Sequence, residues 1–421
     1  MKATEIFQEY NDHILLTYTR LPVIFVKGKG SVLTDLHGKK YLDFFPGWGV
    51  SNVGHCHPKV MGAIREQIGK LIHIPNNFYN PHQAKLAKEL IRIAFEGKIF
   101  FCNSGTESIE AAIKFARAYG RGLSPVSQGD CSLPQKFEII TTINAFHGRT
   151  MGALTATGQE KHQKGFYPLV PGFKYVPFND IDAIKLAVND QTAAIILELV
   201  QGEGGINVAT KEYVKAVRQV CDEKKILLII DEVQTGMART GEIFAYKHYD
   251  IVPDVMCLAK ALGGGLPIGA LIVKKELGEV FKPGMHGSTF AGSPLVCKAA
   301  LGVIKAIYAE HMMKNTKAQG AYLIQKLNEL KLKYNIIKEV RGLGLMIGVE
   351  LTIEGAPVFK ECFNRGLIIN CTQGNVLRIM PALNVTRRQI NKAMHILDGA
   401  FESVIARSIA TKQSFNLKAN I

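Results

Sequence analysis

Lys260 is the residue of this chain whose position best suits covalent chemistry. It follows the apolar run at residues 255–258, which predicts a buried strand, and it precedes three glycines at residues 263–265. Burial lowers the pKa of a lysine below its usual value of about 10.4, which makes the amine a better nucleophile. Such an amine could form a Schiff base with a carbonyl compound. A lysine between two elements is, taken alone, more often a surface residue.

Four other apolar runs predict buried strands, and each is followed directly by polar residues. The runs cover residues 99–102, 138–143, 193–200 and 226–230. Because predicted helices alternate with these strands, we expect a parallel sheet whose carboxyl ends form one ligand-binding edge. The candidate site residues collected in this way are Gly105, Thr106, Phe146, Arg149, Glu203, Asp231, Gln234 and Lys260, with Ser288 and Thr289 further along the chain.

A predicted helix amino terminus could bind a phosphate. Ser104, Gly105 and Thr106 precede the predicted helix at residues 107–119, and free backbone amides at such an end bind anions. The pattern alone is weak, because Ser and Thr cap many helices. Together with the ring of Phe146 and the carboxylate of Asp231, however, it provides the groups that hold pyridoxal phosphate on a lysine.

The composition limits the classes of protein to consider. The chain has 421 residues, 47% hydrophobic and 21% charged, which is enough for a large core and more than one domain. The formal net charge of +15 is scattered and no nucleic-acid-binding signature is present, so we expect no nucleic-acid partner. No apolar stretch is long enough to cross a bilayer, so we expect no membrane partner.

The cysteines and histidines predict neither disulfides nor a metal site. The eight cysteines show no C-x-x-C spacing and lie mostly in apolar runs, which is typical of reduced thiols and favours a cytoplasmic location. His55, Cys56 and His57 are potential ligands, but neighbours in sequence rarely share one tetrahedral ion. We therefore expect no metal.

Six motifs give the chain a resemblance to a known family. They are NSGTE at 103–107, FHGRT at 146–150, QGEGG at 201–205, DEVQTG at 231–236, LAKALGGGLPIGA at 258–270 and HGSTFAGSPL at 286–295. With them the sequence resembles, over residues 17–397, the class III or ornithine-type aminotransferases of the fold type I pyridoxal-phosphate enzymes.

The resemblance implies an α/β fold with a large domain, built on a mostly parallel central sheet, and a smaller α+β domain. We expect an amino-terminal arm and part of the small domain in residues 1–57, the large cofactor-binding domain in 58–296 and the carboxyl-terminal small domain in 297–407. We expect residues 408–421 to fray and the polar loop at 123–136 to be exposed.

The resemblance also implies roles for residues that bind the cofactor. Lys260 would carry pyridoxal phosphate as a Schiff base and later move the substrate proton, while Asp231 would pair with the pyridine nitrogen. Thr289 would reach the phosphate from a neighbouring subunit, so the resemblance implies a homodimer with shared active sites. The complete implied cofactor-binding set is Gly105, Thr106, Phe146, Asp231, Val233, Gln234, Lys260 and Thr289.

The implied substrate-binding residues are Arg149, Glu203, Ser288 and Arg378. Arg149 would bind the α-carboxylate through its two-pronged guanidinium group. Arg378 would pair with Glu203 while the amino donor is bound, and it would be released to bind the second carboxylate of glutamate.

Five stretches, at residues 18–23, 146–150, 165–173, 176–180 and 342–351, are most similar to family members that use N2-acetyl-L-ornithine and 2-oxoglutarate in arginine biosynthesis. Succinylornithine, succinyldiaminopimelate, ornithine and 4-aminobutyrate remain alternative donors. A catalytically inactive scaffold homologue would be expected to lack Lys260 or Asp231, and both are present.

Overall fold

A seven-stranded sheet with helices on both faces forms the centre of the large domain in the computed structural model. The structure describes residues 2–122 and 136–419, without the side chains of residues 408–419. The loop expected at 123–136 therefore lies outside the described residues except for Lys136. The helices are α1 (Ala3–His13), α2 (Pro58–Ile68), α3 (Pro81–Ile93), α4 (Gly105–Gly120), α5 (Met151–Ala156), α6 (Glu160–Gln163), α7 (Ile181–Ala187), α8 (Lys211–Lys224), α9 (Pro294–Ala309), α10 (Met312–Lys333), α11 (Ala356–Asn364) and α12 (Arg387–Ala419).

The strands form four sheets. In chain order the strands are β1 (Phe25–Lys29), β2 (Val32–Asp35), β3 (Lys40–Asp43), β4 (Gly97–Cys102), β5 (Glu138–Thr142), β6 (Phe173–Val176), β7 (Thr192–Leu197), β8 (Val200–Gln201), β9 (Asn207–Val208), β10 (Leu227–Asp231), β11 (Val255–Leu258), β12 (Gly269–Lys274), β13 (Ile337–Leu343), β14 (Met346–Leu351), β15 (Leu367–Ile368), β16 (Asn370–Thr372) and β17 (Val376–Ile379).

The central sheet has the order β4-β12-β11-β10-β7-β5-β6. Strands β11, β10, β7, β5 and β6 are parallel neighbours, whereas β12 runs antiparallel to both β11 and β4. The carboxyl ends of β4, β5, β7, β10 and β11 therefore lie at one edge of the sheet, as the alternation of strands and helices predicted. In the register of β10 and β11, Asp231 is opposite Cys257, only three residues before Lys260.

Both faces of this sheet are buried, which explains why its strands are continuously apolar. All six residues of β7 and all four of β11 are buried. Helix α4 covers one face with Ile109, Ala112 and Ala116, while α8 packs Val214 and Val217 into the core on the other. This packing fixes where each strand ends, and so it fixes the positions of the polar residues that follow.

The smaller domain contains two more sheets, β13-β14-β17-β16 and β1-β2-β3-β15. Strand β15 pairs in parallel with β3, so amino-terminal and carboxyl-terminal residues share one sheet. Leu42 and Phe44 accordingly lie in the same apolar cluster as Leu323 and Leu377. The family resemblance implied this shared arrangement, with part of the small domain in residues 1–57, but gave no strand pairing.

Two apolar segments of the smaller domain are divided between strands. Residues 340–351 belong to a hairpin of β13 and β14 that turns at Gly344, where φ is +60°. The run at 367–370 contributes β15 to one sheet and the start of β16 to another. Apolar side chains continue through both breaks, so hydrophobicity alone could not locate them.

Helix α12 continues to Ala419, through most of the segment at 408–421 that was expected to fray. Ala, Lys, Gln and Leu in this segment favour helix even without an apolar period. Among the described residues, no helix is both long and apolar enough to cross a membrane. No cluster of three potential metal ligands occurs in that part of the chain either.

Arg239 connects the loop after β10 to the smaller domain. Its side chain is fully buried and donates to the carbonyl oxygens of Leu345 and Pro381, at 2.9 and 2.6 Å, and to Oδ1 of Asn52. Burial lowers the pKa of this guanidinium to about 9. These bonds hold the loop that follows Asp231 and carries Gln234 against the hairpin of β13 and β14.

Candidate active site

Lys260 lies at the carboxyl edge of the central sheet in a strained backbone conformation. Its φ is +42°, which is uncommon for a residue other than glycine and is often found at functional sites. Burial lowers the pKa of its amine, while the carboxylates of Glu203, Asp231 and Glu198 oppose the shift. These three carboxylates therefore act on the lysine from three different segments of the chain.

Asp231 is the last residue of β10, and its side chain is buried. Its Oδ1 accepts a hydrogen bond from the backbone N–H of Val233 at 2.9 Å. Its Oδ2 lies 2.7 Å from Nδ1 of His147, whose side chain is also buried. Burial alone would lower the pKa of His147, but its hydrogen bond with Asp231 raises the pKa overall.

Glu198 follows the end of β7 and lies beside this pair. Its carboxylate accepts hydrogen bonds from the backbone N–H groups of Phe146 at 2.9 Å and Gly202 at 3.2 Å. Burial raises the pKa of Glu198, and the negative charge of Asp231 raises it further. Glu198 thus fixes the backbone of two segments that contribute candidate site residues.

The amino terminus of α4 is capped by the side chain of Ser104. The Oγ of Ser104 accepts from the N–H of Glu107 at 3.2 Å, and Glu107 in turn accepts from the N–H of Asn103 at 2.8 Å. A Cβ on Gly105 would lie only 2.7 Å from Cγ1 of Val233, so this close approach requires glycine. The geometry brings the helix end next to the loop after β10.

Thr106 connects this helix end to the segment after β5. Its Oγ1 lies 2.8 Å from Oγ1 of Thr150 and accepts from the N–H of Arg149 at 3.3 Å. The guanidinium carbon of Arg149 lies 5.4 Å from the centre of the Phe146 ring. Arg149 is exposed, and no described carboxylate forms an ion pair with it. Its guanidinium is therefore available to an anionic ligand.

Glu203 and Arg378 form a bidentate ion pair between the two domains. The distances are 2.6 Å from Nη1 to Oε1 and 3.1 Å from Nη2 to Oε2. Arg378 also donates to Oδ1 of Asn370 at 2.7 Å and to the carbonyl of Gly202 at 3.0 Å, and it lies 4.8 Å from the centre of the Phe45 ring. The arginine side chain is 1% exposed and the glutamate side chain 22% exposed, so the glutamate is the more accessible partner.

Gln234 lies in the loop that follows Asp231 and is buried. Its Nε2 donates to the carbonyl of Trp48 at 3.2 Å, whereas its Oε1 has no hydrogen-bond partner among the described residues. The Nε2 of His147 is unpartnered in the same way. Buried polar atoms are usually satisfied, so these two atoms are available to a polar ligand.

Ser288 and Thr289 lie apart from Lys260 along the chain, in the segment before α9. Oγ of Ser288 accepts from Nδ2 of Asn103 at 2.9 Å, which places it near the amino terminus of α4. Thr289 and Phe290 are exposed. The structure brings the other sequence-predicted residues together and leaves Thr289 at the surface of the single chain.

Sequence reasoning overlooked His147 and Glu198 as site residues. His147 was visible as the neighbour of Phe146 in the FHGRT motif, but a lone histidine gives no sign of its partner. Glu198 was hidden because residues 193–200 look like one strand, whereas β7 ends at Leu197. The signal that could have revealed Glu198 was its position inside an otherwise apolar run, because a buried carboxylate is costly unless it is paired.

The chain is similar to known proteins along most of its length. The family model described as aminotransferase class-III matches residues 16–401. The acetylornithine aminotransferase of Methanocaldococcus jannaschii is 53% identical over 392 residues, covering 93% of this chain and 96% of that protein. That of Caldanaerobacter subterraneus subsp. tengcongensis is 48% identical over 393 residues, covering 93% and 98%.

Two solved structures have a closely similar fold. The ornithine aminotransferase of Toxoplasma gondii ME49 has a TM-score of 0.91 at 31% identity, covering 97% of this chain and 96% of that one. The acetylornithine aminotransferase of Elizabethkingia anophelis has a TM-score of 0.84 at 29% identity, covering 96% and 100%. The chain therefore belongs to the class III aminotransferases.

The family implies pyridoxal phosphate as cofactor, and the residues present fit it. One structure of the Toxoplasma gondii ornithine aminotransferase has this cofactor at the active site with partial occupancy. The helix end at Gly105 and Thr106 suits a phosphate, and the buried carboxylate of Asp231 suits a protonated ring nitrogen. The unpartnered Oε1 of Gln234 offers a further polar contact.

Proposed function

We propose that this protein transfers the δ-amino group of N2-acetyl-L-ornithine to 2-oxoglutarate, giving N-acetyl-glutamate 5-semialdehyde and glutamate, a step of arginine biosynthesis. The observation that carries the proposal is the Glu203–Arg378 ion pair, at 2.6 Å, in the same site as the unpaired Arg149. The names of the relatives from Methanocaldococcus jannaschii and Caldanaerobacter subterraneus support the substrate.

The proposal assigns the chemistry to Lys260 and Asp231. Lys260 would hold the cofactor through its Nζ, and the same amine would move the proton of the carbon that bears the amine of the substrate. Bound pyridoxal phosphate supplies an electron sink for that carbon. Asp231, held by His147, would pair with the ring nitrogen. Gly105 and Thr106 would bind the cofactor's phosphate, Phe146 and Val233 would pack against the ring, and Gln234 would offer a polar contact to the ring.

Arg149 and Arg378 divide the recognition of substrate carboxylates. Arg149 binds the α-carboxylate of the amino donor. Glu203 neutralises Arg378 while this donor is bound, and it leaves Arg378 free when 2-oxoglutarate or glutamate brings a second carboxylate. Ser288 contributes to the substrate pocket near the end of α4.

The charges around Arg149 favour an acylated donor over free ornithine. Burial lowers the pKa of His162, and the charges of Arg149 and Lys161 lower it further, while Glu203 opposes them. The environment is thus basic, and the opposing carboxylate is already paired with Arg378. Ornithine would place a second ammonium here, whereas the α-nitrogen of acetylornithine is a neutral amide.

The proposal includes a homodimer in the cytoplasm. Tyr79 is fully exposed, and Phe78 and Phe290 are 62% and 65% exposed, next to the segment that carries Thr289. A contiguous set of exposed aromatic side chains is typical of an interface. A second copy placed there would bring Thr289 to the phosphate of its partner. The thiols in the described part of the chain are all free, in keeping with a reducing compartment.

A panel of amino donors with 2-oxoglutarate, at saturating cofactor, tests the proposal. We expect kcat/KM for acetylornithine to exceed that for ornithine by at least about tenfold, since 1.4 kcal/mol corresponds to one decade. Succinylornithine, succinyldiaminopimelate and 4-aminobutyrate complete the panel. A preference for free ornithine would overturn the substrate while leaving the class of enzyme intact.

A further inference from the structure

Two residues at the tip of the β16–β17 hairpin hold the main chain of Glu203. Oγ1 of Thr372 and Nε2 of Gln373 both donate to the carbonyl oxygen of Glu203, each at 2.7 Å. A carbonyl oxygen has two lone pairs, and both are used here. These contacts restrain the backbone of Glu203 without involving its carboxylate.

Gln373 also reaches the end of the site that contains Arg149. Its Nε2 makes a second hydrogen bond, to Oε1 of Gln159 at 3.1 Å. Gln159 in turn donates to the carbonyls of Asn144 and Ala145, both at 3.2 Å, directly before Phe146. Gln373 therefore connects the backbone of Glu203 to the segment that leads to Arg149.

The backbone of Gln373 adopts an unfavourable conformation for its residue type. Its φ is +51°, and the next residue, Gly374, has φ +80°. Asn and Gly adopt positive φ more readily than Gln does. Strain retained at one position is a reason to look for a function of its side chain. Asn would suit this turn better, but its side chain is one methylene shorter.

Arg378 is held independently of Glu203. Its Nε donates to Asn370 at 2.7 Å and its Nη1 to the carbonyl of Gly202 at 3.0 Å. The guanidinium therefore keeps its place when the glutamate carboxylate moves away. With the backbone of Glu203 also fixed, the freedom that remains lies in the glutamate side chain, which is 22% exposed.

We propose that Thr372 and Gln373 are positioning residues of the Glu203–Arg378 pair, which fix the main chain of Glu203 so that its side chain alone exchanges with a substrate carboxylate. This inference rests on the proposed function. It implies that these two residues at the hairpin tip influence whether the site binds the amino donor or the dicarboxylate.

Binding of glutarate to the holoenzyme measures this influence directly. Glutarate has two carboxylates but neither an amine nor a ketone, so it competes with Glu203 for Arg378 without reacting. Gln373→Asn introduces a residue that adopts positive φ more readily, but its shorter side chain does not reach the carbonyl of Glu203. Thr372→Val keeps the shape of the side chain and removes its hydrogen-bond donor. For each variant we expect the Kd of glutarate to fall about three- to tenfold, the effect of one lost hydrogen bond. KM for the amino donor should rise by a similar factor, with kcat less affected.

The thermal midpoint separates positioning from a merely structural role. Gln373→Asn should melt at or above the wild-type temperature, because it relieves the strained turn. Gln325→Asn on α10, which removes a contact with Glu329 on the same helix, is the matched control and should leave glutarate binding unchanged. An unchanged glutarate affinity in both hairpin variants, or a lower affinity accompanied by a lower midpoint, would overturn the inference.

Glu203→Gln distinguishes this inference from the proposed function. If it tightens glutarate binding and the two hairpin variants do not, the positioning role is wrong and the switch stands. If Glu203→Gln leaves glutarate binding unchanged, the switch itself is wrong, and the positioning role fails with it.

Discussion

Nδ1 of His147 lies 2.7 Å from Oδ2 of Asp231, and both side chains are buried at the end of β10. The other oxygen of Asp231 accepts from the N–H of Val233 at 2.9 Å. Both oxygens of the carboxylate are thus held. In the proposed function this pair sets how firmly the cofactor ring is bound.

We expect His147→Phe to weaken cofactor binding. A hydrogen bond to a charged group contributes about 1.5 to 3 kcal/mol, so the Kd of pyridoxal phosphate should rise at least about tenfold. His147→Asn is the matched variant, because its amide can replace the ring N–H, and it should recover part of the affinity. Titration of each apoenzyme with cofactor, followed by absorbance, gives the three constants. Equal affinity for pyridoxal phosphate in His147→Phe and the wild type would show that His147 does not contribute to cofactor binding.

Loss of the Glu203 carboxylate should affect the two half-reactions differently. Glu203→Gln leaves Arg378 without its counter-charge, so the half-reaction with glutamate should hold or improve while that with acetylornithine slows. Loss of one partner of a buried charge pair costs on the order of 2 to 5 kcal/mol, which is large enough to measure.

Single-turnover absorbance measurements resolve the two half-reactions of this variant. Glu339→Gln, which disrupts a Glu–Arg contact of 2.7 Å with Arg341 away from Lys260, is the control and should change neither. Equal damage to both half-reactions in Glu203→Gln would contradict the switch.

Glu232, next to Asp231, should make stability depend on pH. Burial raises its pKa to about 7, although hydrogen bonds from Thr235 at 2.5 Å and from the N–H of Tyr246 at 2.8 Å oppose the shift. In the unfolded chain the pKa of a glutamate is about 4.3. Because the folded state binds the proton more tightly, this contribution to stability is complete below about pH 4 and is lost as the pH rises through about 7.

Glu232→Gln keeps the volume of the side chain and does not titrate. We therefore expect the melting temperature of the wild type to fall relative to this variant between about pH 5 and pH 8. Melting curves of both proteins across this range provide the measurement. Parallel curves would show that Glu232 does not titrate as its burial implies.

The position of the site could be predicted from the sequence because it depends on strand ends. The strand at 255–258 has the predicted bounds, and Asp231, Glu203 and Lys260 lie at the edge that the alternation of elements indicated. Contacts between distant segments could not be predicted in this way. The hydrogen bonds of His147 with Asp231 and of Gln373 with Glu203 join residues 84 and 170 positions apart in the chain. They depend on how side chains from distant segments pack together.

The pattern of residues also could not predict where regular structure is interrupted. The antiparallel strand β12 follows three glycines closely, and nothing in its apolar composition distinguishes it from its parallel neighbours. The turn at Gly344 and the change of sheet after Ile368 similarly interrupt apolar runs. In both places the register with a partner strand, rather than hydrophobicity, decides where a strand ends.

The most direct test of the proposed function is to find which lysine holds the cofactor. Borohydride reduction of the purified holoenzyme, followed by peptide mapping, fixes the carbon–nitrogen bond and locates it. The account predicts an adduct on Lys260, and it predicts that Lys260→Ala binds pyridoxal phosphate only noncovalently. An adduct on any other lysine of the wild-type protein would contradict it.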